Sequence, residues 1–135
     1  MDAIVALVAL LSLLFYLWTG VNVGRVRHAS GINAPTMTGD PRLERAVRVQ
    51  TNTLEWLPIY LVSLFLFDAF TPKPYGAWAA AALGLIWIGA RVLYMTAYMA
   101  DPARRGPGFG VQALCCLILL VGALVGVVMA LVRGA

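Results

Sequence analysis

Arg45, Arg48, Asn52 and Glu55 follow one another at intervals of three, four and three residues, the spacing that puts side chains on one face of a helix. Arginine forks onto a carboxylate, an amide both donates and accepts, and an ionised glutamate receives an ammonium group. A stripe of this kind suits a polar, zwitterionic ligand. Arg91, Tyr94, Tyr98 and Asp101 repeat the same rhythm further along the chain, and two such stripes can face each other. Plainer roles suit the same residues: Glu55 and Arg91 can close an ion pair that only ties two helices, and Tyr94 and Tyr98 can belong to the aromatic belt at a membrane boundary. Arg104 and Arg105 can serve as orientation signals, and Arg27 carries the same ambiguity. His28 is a lone loop histidine, read as solvated.

The elements that must carry these stripes are membrane-grade. Of the 135 residues, 61% are hydrophobic and only 12% charged, with a mean hydropathy of +0.85. A helix crosses the hydrocarbon core with about 20 mainly apolar residues, and the sequence offers four such stretches, expected at approximately 2–27, 42–68, 75–101 and 108–132. They leave no room for a soluble domain, so the fold class is all-α, a single integral membrane four-helix bundle. The first stretch lacks the basic start and short apolar centre of a signal peptide and is taken as a mature span. Ionisable groups near the centre of a span cost at least roughly 2.5–3.5 kcal/mol each and usually face a bundle interior, a cavity or each other. Arg91 stands ten residues before Asp101, on the order of 15 Å into the membrane, too deep for easy snorkelling.

Charge sets the orientation. Arg25, Arg27, Arg42, Arg45, Arg48, Arg104 and Arg105 lie in or beside the connections after the first and third spans, against Lys73 and Arg133 on the other side. The excess of positive charge on cytoplasmic loops puts both arginine-rich loops in the cytoplasm and the termini outside. These arginines flank spans without an aromatic-basic platform, so nucleic acid is a poor partner. Asp40-Pro41 reads as the cap and first position of the second helix, and Pro58 within it as a kink that opens space beside Glu55. Cys115 and Cys116, the only cysteines, have no metal or redox spacing and read as packing residues. Gly20 and Gly24, and Gly122 and Gly126, form small-xxx-small pairs that suit close helix packing. Nine arginines against one lysine, with abundant alanine and glycine, point to a bacterial source; composition alone does not identify the membrane, and the inner membrane is the expected location.

Thr38-Gly39-Asp40-Pro41, then Glu44-Arg45 and Arg48-x-Gln50-x-Asn52-x-x-Glu55-x-x-Pro58, resembles the membrane-associated proteins in eicosanoid and glutathione metabolism (MAPEG), a family of microsomal glutathione transferases, leukotriene synthases and prostaglandin E synthase. The similarity continues at Ala90-Arg91-x-x-Tyr94-x-x-x-Tyr98, and the order of four spans matches over nearly the whole chain. The resemblance implies a homotrimer with glutathione, as co-substrate, bound between subunits near the cytoplasmic face. Arg48, Gln50, Asn52, Glu55, Arg91, Tyr94 and Tyr98 are then expected to hold the tripeptide, joined by Arg27 from the end of the first span. Arg104 or Arg105 would correspond to the arginine that stabilises the thiolate, and counting from Tyr98 favours Arg105. No metal is expected. Trp56 stands where the leukotriene synthases carry tyrosine, and His28 where they carry another arginine, which argues against an eicosanoid substrate.

The expected function is a glutathione-dependent transferase or peroxidase acting on a lipophilic second substrate that arrives from the membrane lipids. Two readings from other classes stand beside it. A small ion-coupled transporter would use Glu55 and Arg91 as its site, although the polar residues gather toward one membrane face whereas alternating access places the site centrally. A non-catalytic scaffold would be packed by Gly122 and Gly126.

Overall fold

The computed structural model describes all residues from Met1 to Ala135. Its helices are α1 (Ala3–Ser30), α2 (Pro41–Phe70), α3 (Tyr75–Ala100) and α4 (Gly106–Val132), with a single 3-10 turn, Pro102–Arg105, leading into α4. The shortest, α3, has 26 residues, about 39 Å of helix against a hydrocarbon core of about 30 Å. All four are long and apolar enough to cross a membrane. Only 33 residues are buried in a chain that is 61% hydrophobic. The surplus therefore faces outward, as a lipid-exposed or partner-covered bundle requires.

Local chemistry sets the ends. The Asp40 side chain accepts from the Arg42 backbone N–H at 2.8 Å, capping α2 with Pro41 in its first turn. The Arg42 guanidinium also binds the Asp40 carboxylate, and these contacts hold its pKa below the usual carboxylate value. Gly31 closes α1 in the left-handed conformation, φ 71°, which glycine adopts without a Cβ penalty. Helix α1 thus runs one turn beyond the expected end at residue 27, and α4 begins two residues early because the 3-10 turn feeds directly into it. Helix α2 continues without interruption through Pro58.

At the opposite end of the bundle, Lys73 binds the carboxylates of both Asp2 and Asp68, and the Asp2 backbone N–H donates to Asp68. The start of α1 is thereby tied to the α2–α3 connection. Partial desolvation pulls the Lys73 pKa down, but the two carboxylates outweigh it and hold the ammonium above the ordinary lysine value.

Helices α1 and α4 each pack on both α2 and α3 and barely on each other, so α2 and α3 form the central pair. In the middle of that pair Tyr60 stacks on Trp87 with ring centroids 4.0 Å apart, and the Tyr60 hydroxyl pairs with Ser12 of α1 at 2.9 Å. Close approach is set by glycine. A Cβ at Gly108 would lie 2.6 Å from the Tyr94 backbone nitrogen and 2.8 Å from the Ala90 carbonyl oxygen, so α3 and α4 touch backbone to backbone there. Gly122 and Gly126 seat the Phe67 ring and the Phe70 carbonyl in the same way. Of the first small-residue pair, Gly20 abuts Gln50 and Gly24 faces open space.

Candidate functional site

The first polar stripe divides when it folds. Arg45 reaches the end of α3 and donates to the carbonyls of Met99 and Ala100 at 3.1 and 3.2 Å, satisfying acceptors that a helix C-terminus leaves open. Arg48 turns to Glu55, two turns along the same helix, at 3.4 Å. This pair is half-exposed, with side-chain accessibilities of 48% and 53%. Asn52, between them, is buried and faces α3.

Across the helix pair, Arg91 is fully buried. Its Nη1 donates to Asn52 Oδ1 at 2.9 Å and its Nη2 to Thr53 Oγ1 at 2.6 Å, and the guanidinium carbon lies 4.4 Å from the centroid of the Tyr94 ring. The expected alternative of a Glu55–Arg91 ion pair is not formed; Glu55 takes Arg48 instead. Tyr98 stacks on Tyr94 at 5.6 Å. The second stripe thus stands against the first, joined by hydrogen bonds to neutral groups.

Arg48, Asn52, Tyr94, Arg105, Gly106 and Phe109 line one pocket of about 220 Å³ where α2, α3 and the start of α4 meet. The 3-10 turn explains why Arg105 points here and Arg104 does not line the pocket: Asp101 caps the turn by accepting from the Ala103 N–H at 3.0 Å, and the chain enters α4 directly after Arg105. Two guanidinium groups at the wall and a third behind it, with Glu55 as the nearby carboxylate, make a cradle rich in donors. Below it, Trp56 meets Phe109 edge to face at 5.5 Å. An apolar groove between α2 and α4 continues from there over Trp56, Ile59, Ala113, Cys116, Leu117 and Leu120. A hollow of about 500 Å³ at the other end of the bundle has Arg133 as its only charged lining residue.

Four of the expected site residues therefore converge in this pocket: Arg48, Asn52, Tyr94 and Arg105. Glu55 joins its edge through Arg48, Tyr98 supports Tyr94, and Arg91 sits behind the wall. Arg27 and Gln50 do not converge with them within the chain. Arg27 donates to the Thr36 carbonyl at 2.5 Å, and Gln50 faces Gly20 on α1, so both lie on the α1 side of the molecule. Sequence reasoning missed Thr53, Phe109 and Gln112. Gln112 is fully buried with neither amide atom partnered. It stands one helical turn beyond Gly108 in α4. A single glutamine in the otherwise apolar α4 was the signal available for it.

Over 122 aligned residues the chain is 38% identical to an uncharacterized protein of Synechocystis, covering 90% of this chain and 86% of the relative. It is 30% identical to human microsomal glutathione S-transferase 2, over 90% of this chain and 80% of that protein. It is also 30% identical to leukotriene C4 synthase of Cavia porcellus, over 92% and 80%. The MAPEG family model matches residues 5–125, which takes in α2 and α3 whole, most of α1 and α4 and every residue lining the pocket between α2, α3 and α4, and this integral membrane protein belongs to the MAPEG family.

Proposed function

We propose that the protein is a membrane-bound glutathione transferase in which the pocket between α2, α3 and α4 binds the tripeptide and activates its sulfur. The carrying observation is the convergence of Arg48, Asn52, Tyr94 and Arg105 on one donor-rich pocket at the mouth of an apolar groove. A free thiol of pKa about 8.5 is only about 3% ionised at pH 7, and a fall of about two pKa units makes it about three quarters thiolate. The thiolate is the nucleophile, so the protein supplies no nucleophile of its own. Arg105 is the group we assign to the sulfur, with Arg104 outside the pocket as a secondary contributor to local charge. The sulfur lone pair then attacks an electrophilic carbon of a lipophilic substrate held in the groove, and the leaving group departs with its bonding electrons. In the peroxidase variant the sulfur attacks the terminal oxygen of a lipid hydroperoxide, the O–O bond breaks and the alkoxide leaves and is protonated to the alcohol, and a second glutathione then displaces the sulfenic oxygen as water to give the disulfide.

The same reading makes the active unit a homotrimer. A pocket of about 220 Å³ is smaller than the roughly 300–1,000 Å³ that encloses a small ligand, and the half-exposed Arg48–Glu55 pair marks its open side. Arg27 and Gln50 on the α1 side of a neighbouring copy would close it. The excess of arginine on the two loops beside the pocket supports a site at the cytoplasmic face, and we take the membrane to be a bacterial inner membrane.

The test is glutathione binding to the detergent-solubilised protein, followed by ultraviolet thiolate absorbance, in the wild type and in Arg105→Ala and Arg104→Ala. Binding with a thiolate signal that Arg105→Ala abolishes and Arg104→Ala keeps supports the assignment. The absence of binding at millimolar glutathione by a folded protein refutes it.

A further inference from the structure

Arg91 is charged, fully buried and paired with no carboxylate. Removing a guanidinium from water without a counter-ion is costly, so its place in the wall behind the pocket calls for a reason. Arginine has donors and no acceptor. The Asn52 amide atom that faces Nη1 at 2.9 Å must therefore be oxygen, which turns the Asn52 Nδ2 away from Arg91 and leaves it without a partner inside the protomer, at the wall of the pocket. A free asparagine can present either end of its amide to a ligand. Here one end is taken. Thr53 fixes the other arm of the fork at 2.6 Å and Tyr94 covers its face at 4.4 Å, so the guanidinium itself is held in one orientation.

We propose that Arg91 is a positioning residue that acts through Asn52. By occupying Oδ1 it locks the amide as a hydrogen-bond donor toward the pocket, so that this wall selects an acceptor on the ligand, a carboxylate or a peptide carbonyl, and rejects an ammonium group. The ammonium of a zwitterionic thiol peptide is thereby directed to Glu55, the one carboxylate at the pocket edge. This inference rests on the glutathione reading above and adds a residue that touches no ligand atom.

The test is a double-mutant cycle on Arg91→Met and Asn52→Ala in the intact protein in lipid nanodiscs, read by calorimetric titration with glutathione. Each single variant is expected to weaken binding about tenfold, the size of one hydrogen bond to a charged or strongly polar acceptor. The double variant should fall within about twofold of Asn52→Ala alone, because Arg91 has nothing left to position. The number of sites per protein stays at the wild-type value, whereas a merely structural lesion lowers it and leaves the affinity of the folded fraction unchanged. Thr53→Val keeps the Arg91 charge and loosens its fork. It should weaken binding several-fold, an effect that vanishes in the Asn52→Ala background, and it carries the same cycle if Arg91→Met does not fold. Losses that multiply to about a hundredfold, wild-type affinity in both Arg91→Met and Thr53→Val, or a change in site number alone would overturn the inference. A wild-type protein that does not bind glutathione would overturn the proposed function with it, whereas a binding wild type with independent losses overturns only the role of Arg91.

Discussion

Replacing Gly108 by alanine tests whether the backbone contact of α3 with α4 sets the geometry of the pocket. A Cβ there would sit 2.6 Å from the Tyr94 backbone nitrogen and 2.8 Å from the Ala90 carbonyl oxygen, where ordinary contact begins near 3.4 Å. The shortfall is about 0.8 Å against main-chain atoms, which cannot rotate aside, so the two helices must separate. Overpacking of this kind costs about 1–3 kcal/mol. Gly89→Ala is the matched control, since its Cβ meets nothing within 4 Å and gains up to about 1 kcal/mol of helix propensity. Both glycines are helical, so this gain cancels between the two variants, and the expected gap in unfolding free energy is about 1–3 kcal/mol, measured by denaturant unfolding in mixed micelles. Function should follow. Arg105 and Phe109 flank Gly108 in the chain and Tyr94 is the residue it touches, so the separation moves one side of the pocket relative to the other. Displacements approaching 1 Å cost up to about a hundredfold in positioned chemistry, and glutathione affinity in Gly108→Ala should drop at least tenfold. Equal stability and equal affinity in the two alanine variants would refute the backbone contact and the pocket built upon it.

Three further outcomes are expected. Lys73→Met should lower stability near neutral pH by at least roughly 1 kcal/mol, because beside the half-exposed pair with Asp2 it removes the cation facing the buried Asp68 carboxylate. Because the Lys73 pKa is raised in the folded protein, its contribution is fully present below about pH 10.5 and is lost as pH rises through the folded pKa; a wild-type unfolding curve whose extra loss above that pH is absent in Lys73→Met checks the sign. Glu55→Gln removes the one carboxylate at the pocket edge and should weaken glutathione at least fivefold while leaving an analogue without the amino group unaffected, which competition binding measures. Gly122→Ala should destabilise less than Gly108→Ala despite a Cβ 2.4 Å from Phe67 Cε2, because the obstacle is the edge of a side-chain ring and not main chain; thermal unfolding of the pair decides the order.

The fold was legible because its grammar is coarse. Four apolar runs separated by turn residues determine four spans, and cap residues such as Asp40 and Pro41 mark a boundary to the residue. Pairing between stripes was harder to read. Helical spacing correctly gathered Arg45, Arg48, Asn52 and Glu55 onto one flank of α2, yet neighbours along a stripe found different partners: a helix end, each other, and a buried arginine. Periodicity fixes direction around a helix axis and says nothing of what stands opposite. Arg91 shows the limit most plainly. Its depth marked it as expensive, and the obvious compensation was a carboxylate. The structure compensates it with an amide, a hydroxyl and an aromatic face, none of which carries a charge that sequence reading can match.

That choice of neutral partners has a physical consequence for the pocket. Had Arg91 paired with Glu55, the two charges would have cancelled within the wall, and the pocket would have lost both its nearby carboxylate and the field of a third cation. With Asn52 and Thr53 as partners, the positive charge stays uncompensated behind the pocket, in a medium of low dielectric constant where its reach is long, and Glu55 stays at the edge, shared only with a half-exposed Arg48. One wall is then positive and donor-rich while the rim offers an acceptor, a polarity that matches a ligand with an anionic end and an ammonium end. An arginine that looks wasted in the bundle interior thus separates the charges that a simple ion pair would have neutralised, and on the role proposed above Asn52 is the side chain through which that separation would reach a ligand.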